Sequence, residues 1–246
     1  MTTQPDCIVL KQIHHHFGNK PVLTDIDLSV PYGSIYGILG PSGCGKTTTV
    51  KIMAGILEAA SGSVYVLGES MPQLKLMNRI GYMAQSDALY TLLTAGENLE
   101  FFGSLYGISK KKIQAKTAEI LQLVNLSEHQ DKPVMAYSGG MKRRLSLAAA
   151  LIHEPEVLIL DEPTVGIDPL LRKSIWEALY SMVEQGMTII VTTHVMDEAD
   201  KCHQLAMMRD GKLIAAGSPR ELQQKAGAKN LEEAFIFYGG GENRED

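Results

Sequence analysis

The chain has 246 residues, 45% of them hydrophobic and 21% charged, with a formal net charge of -5. This is ordinary globular composition with enough apolar side chains for a sizeable core, and it gives no overall excess of positive charge for a nucleic-acid backbone. The three cysteines, Cys7, Cys44 and Cys202, lie far apart, which excludes a disulfide framework or zinc-ligand spacing and fits a reducing compartment.

Met1 to Asp6 holds no basic segment leading into an apolar one, and no apolar run approaches the ~20 residues that cross a bilayer. Neither a signal peptide nor a membrane span is expected. Ile26, Leu28 and Val30 alternate with polar residues, the pattern of a half-buried strand. Ile35 to Leu39 is a short apolar run ending at Gly40, and Lys46 to Leu57 reads as helix. Val64 to Leu67 and Ile80 to Met83 follow as strands. Gln85 to Ser138 is read as mostly helical, with Ile113, Ile120, Leu121 and Val124 on one face of a helix over Lys110 to Val124. Ser138 to Ile152 is a second helix, and Val157 to Leu160 has the unbroken apolar character of a strand covered on both faces. Leu171 to Glu184 is predicted helical and Met187 to Val191 extended. Gln204 to Met208 and Lys212 to Ala215 form a hairpin candidate across Arg209-Asp210-Gly211. Together these elements describe a mixed α/β core with an inserted helical lobe. Residues 239–246 are read as a disordered tail.

Three segments carry chemistry. Gly40-Pro41-Ser42-Gly43-Cys44-Gly45-Lys46-Thr47 is a phosphate-loop pattern placed after a strand and before a helix. Glycines there let backbone N–H groups wrap an anion, and the following helix adds its positive end. Lys46 would meet the β- and γ-phosphates, and the Thr47 hydroxyl would meet Mg²⁺. An ordinary glycine-rich turn is the alternative. Val157 to Glu162 ends an apolar strand in two carboxylates, where α/β sheets bind ligands. Asp161 would hold Mg²⁺ and Glu162 would activate or orient a water. Tyr137-Ser138-Gly139-Gly140-Met141-Lys142-Arg143-Arg144 places a capping serine and two glycines at a helix start. Taken alone, it is a capped helix with a basic first turn.

In this order, and with Gln85, Asp168 and His194, the three segments resemble the nucleotide-binding subunit of ATP-binding cassette (ABC) transporters, from about Cys7 to Ala226. The resemblance implies an α/β fold with a P-loop NTPase core, an antiparallel β subdomain and an inserted α-helical subdomain of about 86–137, all within one ABC ATPase domain spanning 1–246. Gly40 to Thr48 stands as Walker A, Gln85 as the Q-loop, Tyr137 to Met141 as the signature, and Val157 to Glu162 as Walker B. Val165 to Asp168 is the D-loop and His194 the switch histidine. Phe17 stands where the family has an adenine-stacking aromatic, and could equally be core. Tyr137 and Met141 depart from the commonest signature, Leu-Ser-Gly-Gly-Gln, while Ser138, Gly139 and Gly140 keep its contact residues. The wording Ser-Gly-Gly-Met-Lys-Arg-Arg and Glu97-Asn98-Leu99 resembles the branch exporting drugs, polysaccharides or lipids.

The resemblance further implies that ATP and Mg²⁺ are bound, with Lys46, Gln85, Glu162 and His194 catalytic and with Gln85 also at the metal. It implies a second nucleotide-binding subunit, identical or different, a separate transmembrane permease, and a peripheral place on the cytoplasmic face of the cell membrane. Two other readings stay open: a soluble cassette ATPase with a non-membrane partner, and a non-hydrolysing regulatory module. About 90 residues separate Gly45 from Ser138, too few for the long coiled coil of DNA-repair members. Glu162 and His194 argue against the regulatory module. His14, His15 and His16 invite a metal reading, with no third ligand evident. Cys44 reads as a passive small side chain.

Overall fold

Residues 6–240 are described by the computed structural model, and they sort into two units, one of residues up to 74 and from 188 onward, the other of residues 75–187. The first unit opens with β1 (Ile8–Phe17), β2 (Lys20–Val30), β3 (Ile35–Leu39), α1 (Lys46–Met53), β4 (Ser61–Val66) and β5 (Glu69–Ser70). The second holds β6 (Ile80–Met83), α2 (Ala95–Leu105), α3 (Lys110–Leu123), α4 (Gly139–Leu151), β7 (Val157–Asp161) and α5 (Pro169–Glu184). The chain then re-enters the first unit with β8 (Thr188–Thr193), α6 (Met196–Ala199), β9 (Gln204–Arg209), β10 (Lys212–Gly217), α7 (Pro219–Ala226) and α8 (Leu231–Tyr238).

In the first unit, β2, β1, β4 and β5 pair in that order as an antiparallel sheet. β1 escapes a simple alternation rule because Gln12 adopts φ 50° and the register with β2 slips between Leu10 and Ile13. Such a bulge shifts the inward-facing phase from Leu10 to Ile13, so the apolar period of two is broken mid-strand. Beside this sheet's strands in sequence, β3 pairs parallel to both β8 and β9. All residues of β3 and β8 are buried, each large aliphatic side chain contributing roughly 1.5–3 kcal/mol. The β9–β10 hairpin turns through Asp210 and Gly211 at φ 49° and 75°, the two positive values that a two-residue turn matched to strand twist requires.

Among the boundaries that differ from the sequence expectation, three have a visible cause or consequence. Helix α1 ends at Met53 rather than Leu57, because Gly55 takes φ 68° and the amides of Ile56 and Leu57 both return to the Lys51 carbonyl. Within Gln85 to Ser138 the α-helices are α2 and α3, and the rest is loop and short 3-10 turns. The loop before α2 is held by Asn98, fully buried, whose side chain accepts from the Tyr90 amide (2.9 Å) and donates to the Tyr90 and Thr94 carbonyls (3.0 and 2.8 Å). Thr94 and Glu97 close a capping box at the same helix start. Of the 239–246 tail, Gly239 accepts from Arg209 Nη1 at 2.6 Å, while residues 241–246 lie outside the described residues.

In the second unit β6 and β7 pair in parallel, Ile80 opposite Val157. β7 is wholly buried. Among the described residues, no helix is long and apolar enough to cross a membrane.

Candidate functional site

The phosphate-loop residues belong to the first unit. The loop leaves β3 at Gly40, whose amide donates to the Thr193 carbonyl at 3.2 Å. A Cβ on Gly40 would fall 2.4 Å from the Met208 carbonyl oxygen, so only glycine lets the loop start there. Gly45 is the N-cap of α1 at φ 107° and provides no side-chain cap, and the first turn of α1 carries no acidic residue. The positive end of the helix therefore meets neither a capping side chain at Gly45 nor a carboxylate in its own first turn. Pro41, Ser42 and Gly43 are exposed, Thr47 is half-buried and Thr48 is buried. Lys46 is buried, and its Nζ donates to the Gly40 and Pro41 carbonyls at 2.8 and 3.1 Å. Those bonds hold the ammonium over the loop's own entrance.

The turn of the β9–β10 hairpin braces this loop. The Gly211 amide donates to the Cys44 carbonyl at 3.2 Å, and the Thr24 amide donates to the Gly211 carbonyl at 2.9 Å. Cys44 is buried, and burial raises its thiol above the ordinary range despite the nearby Lys46 cation. A neutral, enclosed thiol agrees with the passive role. His194 is exposed just past β8. Its neighbours fix the bend: Thr193 Oγ1 donates to Glu198 Oε2 (2.7 Å) and accepts from the Val195 amide (3.0 Å). Phe17 is 57% exposed at the end of β1, its ring edge-on to that of His15 with the centroids 4.8 Å apart. That exposure suits a stacking platform and removes the core alternative. His15 is buried while His16 is exposed, and no group of His, Cys, Asp or Glu suited to a metal ion occurs among the described residues.

The carboxylates and the signature residues belong to the second unit. Asp161 is fully buried as the last residue of β7. Glu162 follows at φ 53°, a backbone conformation costly for a residue with a Cβ. Its Oε2 accepts from Gln85 Nε2 at 3.1 Å, which brings two of the candidate residues into direct contact. Nearby Tyr82 is pushed up to about 12, first by burial and then by the Asp161 charge. Ser138 caps α4, accepting from the Met141 amide at 3.3 Å. Ser138 and Gly139 are exposed, and a Cβ on Gly139 would meet nothing within 4 Å. The start of α4 is thus open to an incoming group. Asp168 caps α5, accepting from the Leu171 amide at 3.0 Å, with Pro169 in the first turn.

The two arginines of the Met141 to Arg144 stretch turn inward. Arg144 Nη1 donates to the Val124 and Asn125 carbonyls at 3.1 and 2.7 Å, placing a cation at the C-terminal end of α3. Arg143 is 6% exposed and reaches the backbone of residues 84–85 and 161–162. They lie in the second turn of α4 rather than forming an exposed basic first turn. Their acceptors are backbone carbonyls, which leave no mark in a sequence.

Comparison with known proteins places this geometry. Residues 23–165 match the family model described as ABC transporter. The chain is 39% identical over 236 residues to the probable multidrug ABC transporter ATP-binding protein YbhF of Escherichia coli, covering 93% of this chain and 41% of that protein. It is 38% identical to the linearmycin resistance ATP-binding protein LnrL of Bacillus subtilis, covering 90% of this chain and 72% of that protein. Among solved structures, the ATP-binding cassette MJ0796, dimeric and bound to ADP and Pi after hydrolysis, superimposes with a TM-score of 0.80 at 26% identity, over 86% of this chain and 98% of that one. The fold is that of ABC ATPase domains. By the match over residues 23–165 and the identity to these relatives, the chain belongs to the ABC transporter family.

Proposed function

We propose that this chain is the ATP-binding and ATP-hydrolysing subunit of an ABC exporter, working as a pair of cassettes beneath a separate transmembrane permease, peripheral on the cytoplasmic face of the membrane. The observation that carries the hydrolytic half of this reading is the Gln85–Glu162 contact beside buried Asp161. A general base needs a fixed carboxylate, and here an amide fixes it. The family's relatives support the exporter half, being named for multidrug transport and linearmycin resistance.

Roles follow from the chemistry of each group. Phe17 stacks the adenine. The amides of Gly40 to Thr48 wrap the phosphates, and Lys46 exchanges the Gly40 and Pro41 carbonyls for phosphate oxygens. Thr47, Gln85 and Asp161 are oxygen donors suited to Mg²⁺, a hard cation that would neutralise phosphate charge when bound. Glu162 takes a proton from the attacking water, and His194 stabilises charge on the transferring group. Ser138, Gly139 and Gly140 serve the nucleotide of the other copy, because α4 starts open and exposed. The whole of 1–246 is one ABC ATPase domain, 86–137 its helical subdomain and 239–246 its tail.

The test is the concentration dependence of ATP hydrolysis by the purified chain, in the range where sedimentation shows monomers. Specific activity that climbs with protein concentration supports a site completed by a second copy. Activity per molecule that stays constant, or no ATP hydrolysis at any concentration, overturns it.

A further inference from the structure

Arg143 takes no part in the roles above, yet its buried guanidinium contacts both elements of the hydrolytic cluster. Nη1 donates to the Ala84 and Gln85 carbonyls at 2.7 and 2.8 Å. Nη2 donates to the Asp161 carbonyl and, at 2.6 Å, to the Glu162 carbonyl. Asp87 stands behind it, with Oδ1 3.8 Å from Nη1 and accepting from Ser146 Oγ at 2.9 Å. Four carbonyls from two separate segments thus converge on one planar cation.

This arrangement does something that packing alone would not. Glu162 holds a left-handed backbone, φ 53°, which a non-glycine residue keeps only where its surroundings over-determine it. Its carbonyl is one of the four acceptors. The Gln85 carbonyl is another, and the Gln85 side chain donates to the Glu162 carboxylate. The guanidinium therefore fixes the backbone at both ends of that side-chain contact. A lysine ammonium, a point donor on a flexible stem, cannot span the two segments in the same fork geometry.

We propose that Arg143 is a positioning residue for ATP hydrolysis, setting the Glu162 carboxylate and the Gln85 amide in register from the second turn of the signature helix. It rests on the hydrolytic reading given above. Its hydrogen bonds go to the backbone of Ala84, Gln85, Asp161 and Glu162, and it acts through Glu162.

The experiment is a mutant cycle on the full chain, with kcat and ATP affinity measured separately. Arg143→Lys lowers kcat on the order of 10²-fold, the loss typical of a displaced catalytic group, and leaves ATP affinity unchanged, because the phosphate loop makes none of these bonds. Arg143→Gln does the same. In the Glu162→Gln background, Arg143→Lys costs nothing further, since it has no base left to position. An additive loss in that background, or equal falls in kcat and affinity, overturns the proposal. If the Arg143 variants fail to fold, the cycle is run with Asp87→Asn, which leaves the cation in place. There kcat falls about fivefold in the parent, the order of one ion pair such as that at 3.8 Å, and not at all beside Glu162→Gln; no loss in the parent overturns the proposal. A wild-type chain that does not hydrolyse ATP sinks the hydrolytic reading itself, whereas active wild type with fully active Arg143 variants sinks only this one.

Discussion

The phosphate loop and the carboxylate cluster are built by opposite means. The loop of the first unit is a backbone device: glycine at 40 where a Cβ would strike the Met208 carbonyl, glycine at 45 with φ 107°, and a helix start without a side-chain cap. The cluster of the second unit is a side-chain device: a strained Glu162, an amide on its carboxylate, and one arginine holding four carbonyls. Backbone devices tolerate change at most side chains and fail at a few glycines. Side-chain devices fail wherever one partner is lost.

That contrast can be broken at several points. The largest effect belongs to Glu162→Gln. Turnover should fall on the order of 10²–10⁴-fold, the usual worth of a positioned base, with ATP affinity kept. Retained turnover in a steady-state assay would remove Glu162 from its role. Lys46→Ala should weaken ATP binding by roughly 10–100-fold, as expected for losing charge-assisted hydrogen bonds, while thermal unfolding stays close to wild type. Equal affinity in a titration would mean that backbone amides alone hold the phosphates. Ser138→Ala removes the cap of α4 and should cost about 1 kcal/mol in urea unfolding; no change would show that the 3.3 Å bond contributes little to the fold.

The smallest effect tests whether the second unit depends on buried side-chain pins beyond its arginine. His153 contacts the Ile80 carbonyl through Nε2 at 3.0 Å, and its ring stacks on Tyr106 at 3.8 Å. Burial lowers its pKa below the ordinary value, the carbonyl contact opposing. The unfolded chain then binds the proton first, so the contribution is complete above the unfolded pKa of about 6.5 and is lost as pH falls through the folded value. Urea midpoints should drop from pH 7.5 to 5.5 by more in wild type than in His153→Gln. Equal drops in the two proteins would locate the acid sensitivity elsewhere.

Legibility in the sequence follows the same division. Gly40 to Thr47, the apolar runs of β3 and β7, and the hairpin across Arg209 to Gly211 were readable because local geometry dictates local residue types. Asp161 and Glu162 stand out as two carboxylates ending an apolar run, Gln85 only through the family resemblance, and the contact between Gln85 and Glu162 leaves no mark in the sequence. β1 was not, because the Gln12 bulge breaks its period. Nor were α7 and α8, eight residues each, too short for periodicity to separate them from loop. Arg143 was visible as a letter and not as a role. The Glu97-Asn98-Leu99 wording, read as a branch marker, has a local meaning as well. Glu97 closes a capping box, Asn98 satisfies a buried loop and Leu99 fills the core.

The brace of Gly211 on Cys44 bears on the order of events at the ribosome. The phosphate loop is synthesised well before residues 188–211, yet β3 finds both of its neighbours in β8 and β9, and the loop's flank waits for residue 211. Contacts of such sequence separation form late, after most of the chain has emerged. A nascent chain cut short before β8 would carry every letter of the phosphate-loop motif without the two strands that flank β3 or the turn that braces the loop. Ribosome-arrested chains of increasing length should therefore gain ATP binding in a single step near that hairpin, not in proportion to the motif residues already made.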